Sequence, residues 1–153
     1  MKIEITDAPA AADEALVVAG THDYNAAFVG KDVRRLCVFA RDEEGAIMGG
    51  LTGKTYWNYL EIAFLWVNER HRRLGHGSEL VKAAELEARQ RGCQYALLDT
   101  YSFQALGFYQ KLGYAEFGRL AGFSGKHVRY YLHKALTVAG IVPVPEAKQT
   151  PPT

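Results

Sequence analysis

The stretch Val67-Asn68-Glu69-Arg70-His71-Arg72-Arg73-Leu74-Gly75-His76-Gly77-Ser78 decides how the rest of the chain is read. It stands between a nearly continuous apolar run, residues 60–67, and a helical pattern over residues 78–91. The run is broken only by Glu61 and suits a central strand buried on both faces. In the helix, Leu80, Val81, Ala84 and Ala88 share one face, with Lys82, Glu85, Arg89 and Gln90 elsewhere. Gly92 is a natural C-terminal stop. The quoted stretch is therefore a strand-to-helix loop. The first N–H groups of a helix lack intrahelical partners, and the helix dipole adds positive charge there. Glycines at 75 and 77 let a phosphate approach the backbone. Ser78 adds a donor, and Arg70, Arg72 and Arg73 add cations. The sum is an anion cradle suited to a pyrophosphate or a phosphorylated ribose.

Two common phosphate loops do not fit. A dinucleotide fingerprint needs G-x-G-x-x-G after the first strand, whereas this loop follows the fourth predicted strand. A mononucleotide loop needs G-K-[ST], and Ser78 follows Gly77 directly. What remains is R-x-x-G-x-G. The bland alternative is an ordinary helix start with a glycine-rich turn.

Outward from the loop, the pattern alternates strands and helices. Residues 2–7 predict a first strand. Residues 10–19 predict a helix that breaks at Gly20-Thr21-His22-Asp23, and residues 24–29 a second short one. Residues 36–41 and 47–56 predict a hairpin around the turn Asp42–Gly45. Gly49, Gly50 and Gly53 mark a bulge or a close approach in its second strand. Trp57-Asn58 is a second tight turn. Residues 95–99 predict a buried strand and residues 103–112 a short helix, with Ser102 and Gly113 as its caps. Residues 114–120 and 128–136 close the domain around a glycine-rich loop, 121–126. This order predicts a mixed α/β sheet with helices on both faces.

The 153 residues suffice for one domain with a sizeable core. Eighteen basic residues against 17 acidic ones leave a formal charge of +1. That gives no basic excess for nucleic acid and no acidic tail. No apolar run reaches membrane-spanning length, and the N-terminus lacks a signal-peptide core. Cys37 and Cys93 lie in no metal-like spacing and read as buried or half-buried free thiols of a reducing compartment, so a cytoplasmic protein is expected. No His/Cys/Asp spacing suggests a metal site. The domain is expected over residues 1–136. Residues 137–153 carry Pro143, Pro145, Pro151 and Pro152 without periodicity and read as a poorly ordered tail.

Three motifs together resemble the GNAT superfamily of acetyl-CoA-dependent N-acetyltransferases. Its signature [RQ]-x-x-G-x-[GA] is matched by Arg72, Gly75 and Gly77. A second, A-x-x-F-Y-x-K-x-G-[FY], is matched by Ala105, Phe108, Tyr109, Lys111, Gly113 and Tyr114. The strand pattern E-I-x-x-L-x-V is matched by Glu61, Ile62, Leu65 and Val67. The resemblance implies a mixed, mostly antiparallel sheet of about six to seven strands, splayed at the middle. It implies that Arg73, Leu74, Gly75, His76, Gly77 and Ser78 bind the pyrophosphate of acetyl-CoA through their amides. Leu65, Trp66 and Val67 would lie along the pantetheine arm, with Ser102, Ala105, Phe108 and Lys111 also at the coenzyme. Tyr109 would protonate the departing thiolate, and Glu61, eleven residues before Arg72, would be the general base. The Val67 amide would hold the oxyanion, and the amine would attack directly. Many members carry Asn where this chain has Ser102, a shorter hydrogen-bonding side chain.

Each reading has a structural alternative. Tyr109 also fits a core aromatic, and Glu61 a satisfied strand carboxylate. His71 and His76 read as solvent-facing loop residues. Tyr24, Tyr56, Trp57, Tyr59, Phe123 and His127 are candidates for an acceptor wall, or simply turn and core aromatics. The expected partners are acetyl-CoA and a small-molecule or peptide amine, with a homodimer left open and neither nucleic acid nor membrane. A non-catalytic acyl-CoA-binding module and an acyltransferase with another donor or acceptor are the rival readings. The presence of Tyr109 argues against the first rival.

Overall fold

The computed structural model describes residues 1–136; the proline-rich tail lies outside them. The strand predicted over residues 2–7 does not form. Ile3 and Ile5 are exposed, because the alternating pattern there finds no strand edge to pair with. The two predicted N-terminal helices are one, α1 (Ala11–Ala26). A single internal glycine costs about 1 kcal/mol relative to alanine, which is too little to break a helix of this length. Asp13 and Glu14 complement the dipole in its first turn. None of its residues is buried.

Six strands form one sheet: β1 (Arg34–Arg41), β2 (Ile47–Tyr56), β3 (Tyr59–Val67), β4 (Tyr95–Tyr101), β5 (Ala115–Phe123) and β6 (His127–Ala135). Their order across the sheet is β1-β2-β3-β4-β6-β5. β1, β2 and β3 form an antiparallel meander, and β4 pairs antiparallel with β6, and β6 with β5. The two halves meet at a single parallel pairing, β3 with β4. It spans only Tyr59↔Tyr95, Leu60↔Ala96 and Glu61↔Leu97.

Just beyond Glu61 the β2–β3 register shifts. Gly53 opposes Ile62 and Thr52 opposes Phe64, leaving Ala63 as an extra residue. The predicted bulge and close approach are both there. A Cβ on Gly53 would stand 2.2 Å from the Glu61 carbonyl oxygen. From this bulge β3 runs away from β4. The strand is therefore not buried on both faces: Leu60 and Ile62 are buried, but Phe64 and Trp66 are 75% and 51% exposed. A strand without a neighbour on one side loses the cover that a continuous sheet supplies.

The connection from β3 to β4 runs through α2 (His76–Gln90), which packs against β1, β2 and β3. Leu80, Val81, Ala84 and Ala88 enter a core with Leu36, Leu51, Leu60, Leu98 and Leu132. Glu85 joins that buried face, against its expected outward placement. Its carboxylate accepts from Lys134 Nζ at 2.8 Å, from the Tyr114 hydroxyl at 3.1 Å and from Arg89 at 3.3 Å. Three donors explain why a buried charge is tolerated here, since a buried ion must be paired and hydrogen-bonded. Of the two thiols, Cys93 is buried and Cys37 is exposed, on the side of β1 away from α2.

α3 (Leu106–Lys111) starts later than predicted, after Ala105. Ser102 is not its cap. Its N–H donates to the Val128 carbonyl at 2.8 Å, and its Oγ accepts from the Val128 N–H at 3.2 Å, closing β4 onto β6. The predicted glycine-rich loop shrinks to a turn at residues 124–126, because β5 continues through Gly122 by a register shift.

Two alanine substitutions should move stability in opposite directions. Gly53→Ala should lower the unfolding free energy by about 1–3 kcal/mol, because backbone has to shift to admit the methyl. Gly20→Ala, with open space around it, should raise stability by up to about 1 kcal/mol. Urea titrations with fixed m-value read both. The buried tyrosines predict a pH effect. Tyr109 has its pKa pushed from 10.0 to about 12 by burial and, secondarily, by Asp99; Tyr114 is raised further by burial and Glu85. A raised folded-state pKa stabilises fully below the unfolded value and is lost above it. The urea midpoint should therefore fall between pH 10 and about 12, and less steeply in Tyr109→Phe.

Candidate active site

The loop after β3 is shaped by its own polar groups. The Asn68 N–H donates to the Met48 carbonyl at 2.8 Å, and the Asn68 side chain caps the short turn Glu69–His71 through the Arg70 N–H. Arg72 Nε donates to the Val67 carbonyl at 3.1 Å. Arg73 takes a left-handed conformation, φ +64°, and Gly75, the N-cap of α2, has φ +87°. That conformation favours glycine at 75. At 77 the reason is space: a Cβ would come within 3.3 Å of the Phe108 ring.

These turns leave a cavity of about 520 Å³ at the N-terminus of α2. Of the residues predicted to meet the coenzyme, Leu65, Val67, Arg72, Arg73, Gly75, His76, Gly77, Ser78, Ala105 and Phe108 line it. Leu74, Trp66 and Tyr109 do not; Leu74 and Trp66 are exposed, and Tyr109 is buried behind Phe108. Ser102 is committed to β6, and Lys111 stands exposed at the end of α3. His71 and His76 are half-buried in the cavity wall with their rings 6.3 Å apart, rather than solvent-facing. The turn Glu69–His71 brings His71 back over the cradle, which motif spacing alone does not reveal.

The free edge of β3 joins this cavity to the sheet's interior. The N–H groups of alternate strand residues point to the same side. Asn68 points to β2, so Trp66 and Phe64 do too, and the Leu65 and Val67 amides face away from β2. On that side β4 has already diverged. The edge is open to an extended ligand that pairs like a strand. The Val67 carbonyl is occupied by Arg72, while Leu65 lies two residues nearer the bulge.

Tyr109 is buried on α3 beside Phe108 and Tyr114, at ring distances of 5.0 and 5.9 Å. Its raised pKa keeps the hydroxyl protonated through the physiological range. Glu61 stands at the last residue pair before the splay, on the sheet face away from α2. Lys54 Nζ lies 3.5 Å from its carboxylate, and burial together with Glu61 raises the pKa of the Tyr56 hydroxyl.

Glu61 opens into a second cavity of about 340 Å³, whose wall includes Tyr56, Ala63, Asp99, Phe117 and Tyr131. Asp99 is held by Arg129 through two bonds, 2.9 and 2.8 Å. Asp99, Phe117 and Tyr131 were not singled out by their sequence. Alternation on β4 puts Leu97 and Asp99 on one face, but only the register Glu61↔Leu97 and Asp99↔Tyr131 brings them to Glu61. A third cavity, about 260 Å³, lies between the end of α1 and the β2–β3 turn and shares Tyr56 with the second.

The six aromatics proposed for one acceptor wall divide. Tyr56 and Trp57 line the third cavity, and Tyr59 stacks on Tyr95 at 5.5 Å. Phe123 and His127 gather with Tyr101 and Phe103 at the opposite end of β4. Tyr24 pairs with Phe28 and is 71% exposed. Among the described residues no group of three or more His, Cys, Asp or Glu is arranged to hold a metal. None of their helices is long and apolar enough to cross a membrane.

Comparison with known proteins follows the same outline. The model of the acetyltransferase (GNAT) family matches residues 5–114. Acetyltransferase Atu2258 of Agrobacterium fabrum is 36% identical over 112 residues, 72% of this chain and 82% of that protein. Blasticidin-S acetyltransferase of Streptomyces morookaense is 43% identical over 77 residues, half of this chain; the match spans only 57% of that protein's length. The crystal structure of an acetyltransferase from Bacillus cereus superposes with TM-score 0.78 at 32% identity, covering 86% of this chain and 97% of that one. A splayed mixed sheet, a glycine-opened helix start beside the splay, and a family match over most of the domain agree, and the chain belongs to the GNAT acetyltransferase family.

Proposed function

We infer that the protein transfers the acetyl group of acetyl-CoA to a primary amine of a small molecule. One observation carries this reading. The cradle at the α2 N-terminus and the Glu61 cavity are lined by successive parts of β3, Leu65 and Val67 beyond the splay and Glu61 to Ala63 at it. A long anionic donor enters from one side and an amine from the other. The relative named for blasticidin S favours a small-molecule acceptor over a protein.

The cradle fits the donor's pyrophosphate. Its backbone is opened by Gly75 and Gly77, and Arg72 and Arg73 stand at its rim. The pantetheine amides pair with the open edge at Leu65 and Val67, which carries the thioester toward the bulge. There the Leu65 N–H is the better oxyanion donor than the Val67 N–H, since it lies nearer Glu61 on the same edge. Glu61 takes a proton from the acceptor ammonium, directly or through water, and the neutral amine attacks the carbonyl carbon. The new C–N bond forms, the C–S bond breaks, and the Tyr109 hydroxyl gives its proton to the thiolate. The surplus proton on the acylated nitrogen leaves to solvent, from which the Tyr109 phenolate is reprotonated. Tyr109, with its pKa near 12, holds that proton until it is needed.

Acetyl-CoA should raise the melting temperature of the native chain, and Gly75→Glu should abolish the rise while the unliganded protein still melts cooperatively. An undiminished rise removes the loop from the donor site. Tyr109→Phe should lower kcat about a hundredfold with little change in the acetyl-CoA Kd. Its wild-type counterpart should show no falling alkaline limb below about pH 12. Glu61→Gln should flatten the rising limb of the pH–rate profile. Normal turnover in Tyr109→Phe, or an intact rising limb in Glu61→Gln, assigns that proton to another group.

A further inference from the structure

The open face of the sheet carries two cavities that share one wall and differ in charge. The Glu61 cavity holds two carboxylates, Glu61 and Asp99, with aromatic surface from Tyr56, Phe117 and Tyr131. Its neighbour holds Lys31, Lys54, His22 and Asn25, and no carboxylate lines it. Tyr56 lines both, and Lys54 of the basic cavity reaches to 3.5 Å from the Glu61 carboxylate.

The basic cavity is a built feature. Its floor is the link between α1 and β1, and that link is tied to the β2–β3 turn. The Trp57 N–H donates to Asp32 Oδ1 at 2.7 Å, and Trp57 Nε1 donates to the Gly30 carbonyl at 3.1 Å. Lys31, between the two tied residues, enters no ion pair among the described residues. Lys54 is held at 3.5 Å from Glu61 and 5.3 Å from the Tyr56 ring, at the boundary between the cavities. A group placed in the basic cavity therefore meets two lysines and the His22 and Asn25 side chains, all donors or positive charges. That combination recognises a carboxylate or another small anion.

We propose that the acceptor is a zwitterion: its amine enters the Glu61 cavity, and an anionic group on the same molecule lies in the Lys31–Lys54 cavity. This rests on the acetyltransferase reading of the Glu61 site. Geometry sets the spacing. Lys54 and Glu61 are directly opposed on neighbouring strands, and strands lie about 4.8 Å apart. An acceptor that reaches from Glu61 past Lys54 separates its charges by roughly 5–10 Å, one to two strand spacings. An α-amino acid is too short for this. An ω-amino acid of longer chain, or a small molecule with a remote carboxylate, spans it. The anion also engages Lys54 and so loosens its hold on Glu61, which leaves that carboxylate to the incoming ammonium.

The test uses the full chain and a series of ω-amino acids of increasing length, each compared with its methyl ester. Release of free coenzyme A gives kcat/KM. In parallel, the shift in melting temperature at saturating coenzyme A reads acceptor binding without turnover. The wild type should prefer the free acid over the ester by about tenfold or more, mainly through KM, at one optimal chain length. Lys31→Glu should erase or invert that preference while leaving the acetyl-CoA shift unchanged. Equal use of acid and ester by the wild type overturns the proposal, as does a Lys31→Glu variant that keeps the preference. If no acceptor releases coenzyme A but the acid still binds better than the ester in a Lys31-dependent way, the zwitterion site stands and the transfer reading falls. If neither binding nor turnover distinguishes acid from ester, the zwitterion site falls, and any turnover observed leaves the transfer reading in place.

Discussion

Three residue pairs hold the two halves of this sheet together. β3 and β4 share only Tyr59↔Tyr95, Leu60↔Ala96 and Glu61↔Leu97 before they part. The parting is enforced from the other side of β3. The extra residue at Ala63 turns the strand, and the contact between Gly53 and the Glu61 carbonyl lets β2 follow it closely. A continuous sheet would satisfy the Leu65 and Val67 amides internally. The bulge leaves them facing a gap, at the point where the α2 cradle begins. Open edge, cradle and Glu61 cavity thus meet at one local distortion.

So short a strand pairing needs a second tie, and α2 supplies it. Its apolar face packs on β1, β2 and β3, while Glu85 reaches across to Tyr114 before β5 and Lys134 on β6. Removing one partner of a buried, hydrogen-bonded charge costs about 3–5 kcal/mol, far more than an exposed pair contributes. This network also bears on Tyr109. Tyr114 donates its hydroxyl to Glu85, its N–H to the Tyr109 carbonyl at 3.1 Å, and its ring edge packs against Tyr109. The tie between the halves therefore backs the buried Tyr109.

The sequence made some of this plain and hid the rest for identifiable reasons. The glycines of β2, the strand-loop-helix passage through Gly75 and the hairpins were legible because each depends on residues close in the chain. Motif resemblance added Tyr109 and Glu61, which sit on separate elements, α3 and β3. The N-terminal strand and the break at Gly20 failed because local propensity is weak against context: alternation needs an edge, and one glycine is a small penalty. Glu85 was misplaced because a charge on a helix reads as exposed until its partners far along the chain, Tyr114 and Lys134, are known. Asp99, Phe117 and Tyr131 were invisible for the same reason, since register across non-consecutive strands brings them to Glu61.

The charges on the open face form a row across four strands: Lys54 on β2, Glu61 on β3, Asp99 on β4 and Arg129 on β6. The outer pairs are close, Lys54 with Glu61 at 3.5 Å and Arg129 with Asp99 at 2.8 Å. The two carboxylates, by contrast, lie on either side of the splay. Each is tied outward, so the negative ends of two ion pairs point toward the same gap. An ammonium arriving there meets both carboxylates, while a neutral or anionic group gains nothing from them. In the proposed reaction, that attraction ends once the ammonium gives up its proton, and the neutral amine turns toward the thioester. In that reaction, an inward-negative row of this kind draws in the ammonium form of the acceptor and raises the cost of its deprotonation by the same amount, so Glu61 has to take up that proton before attack.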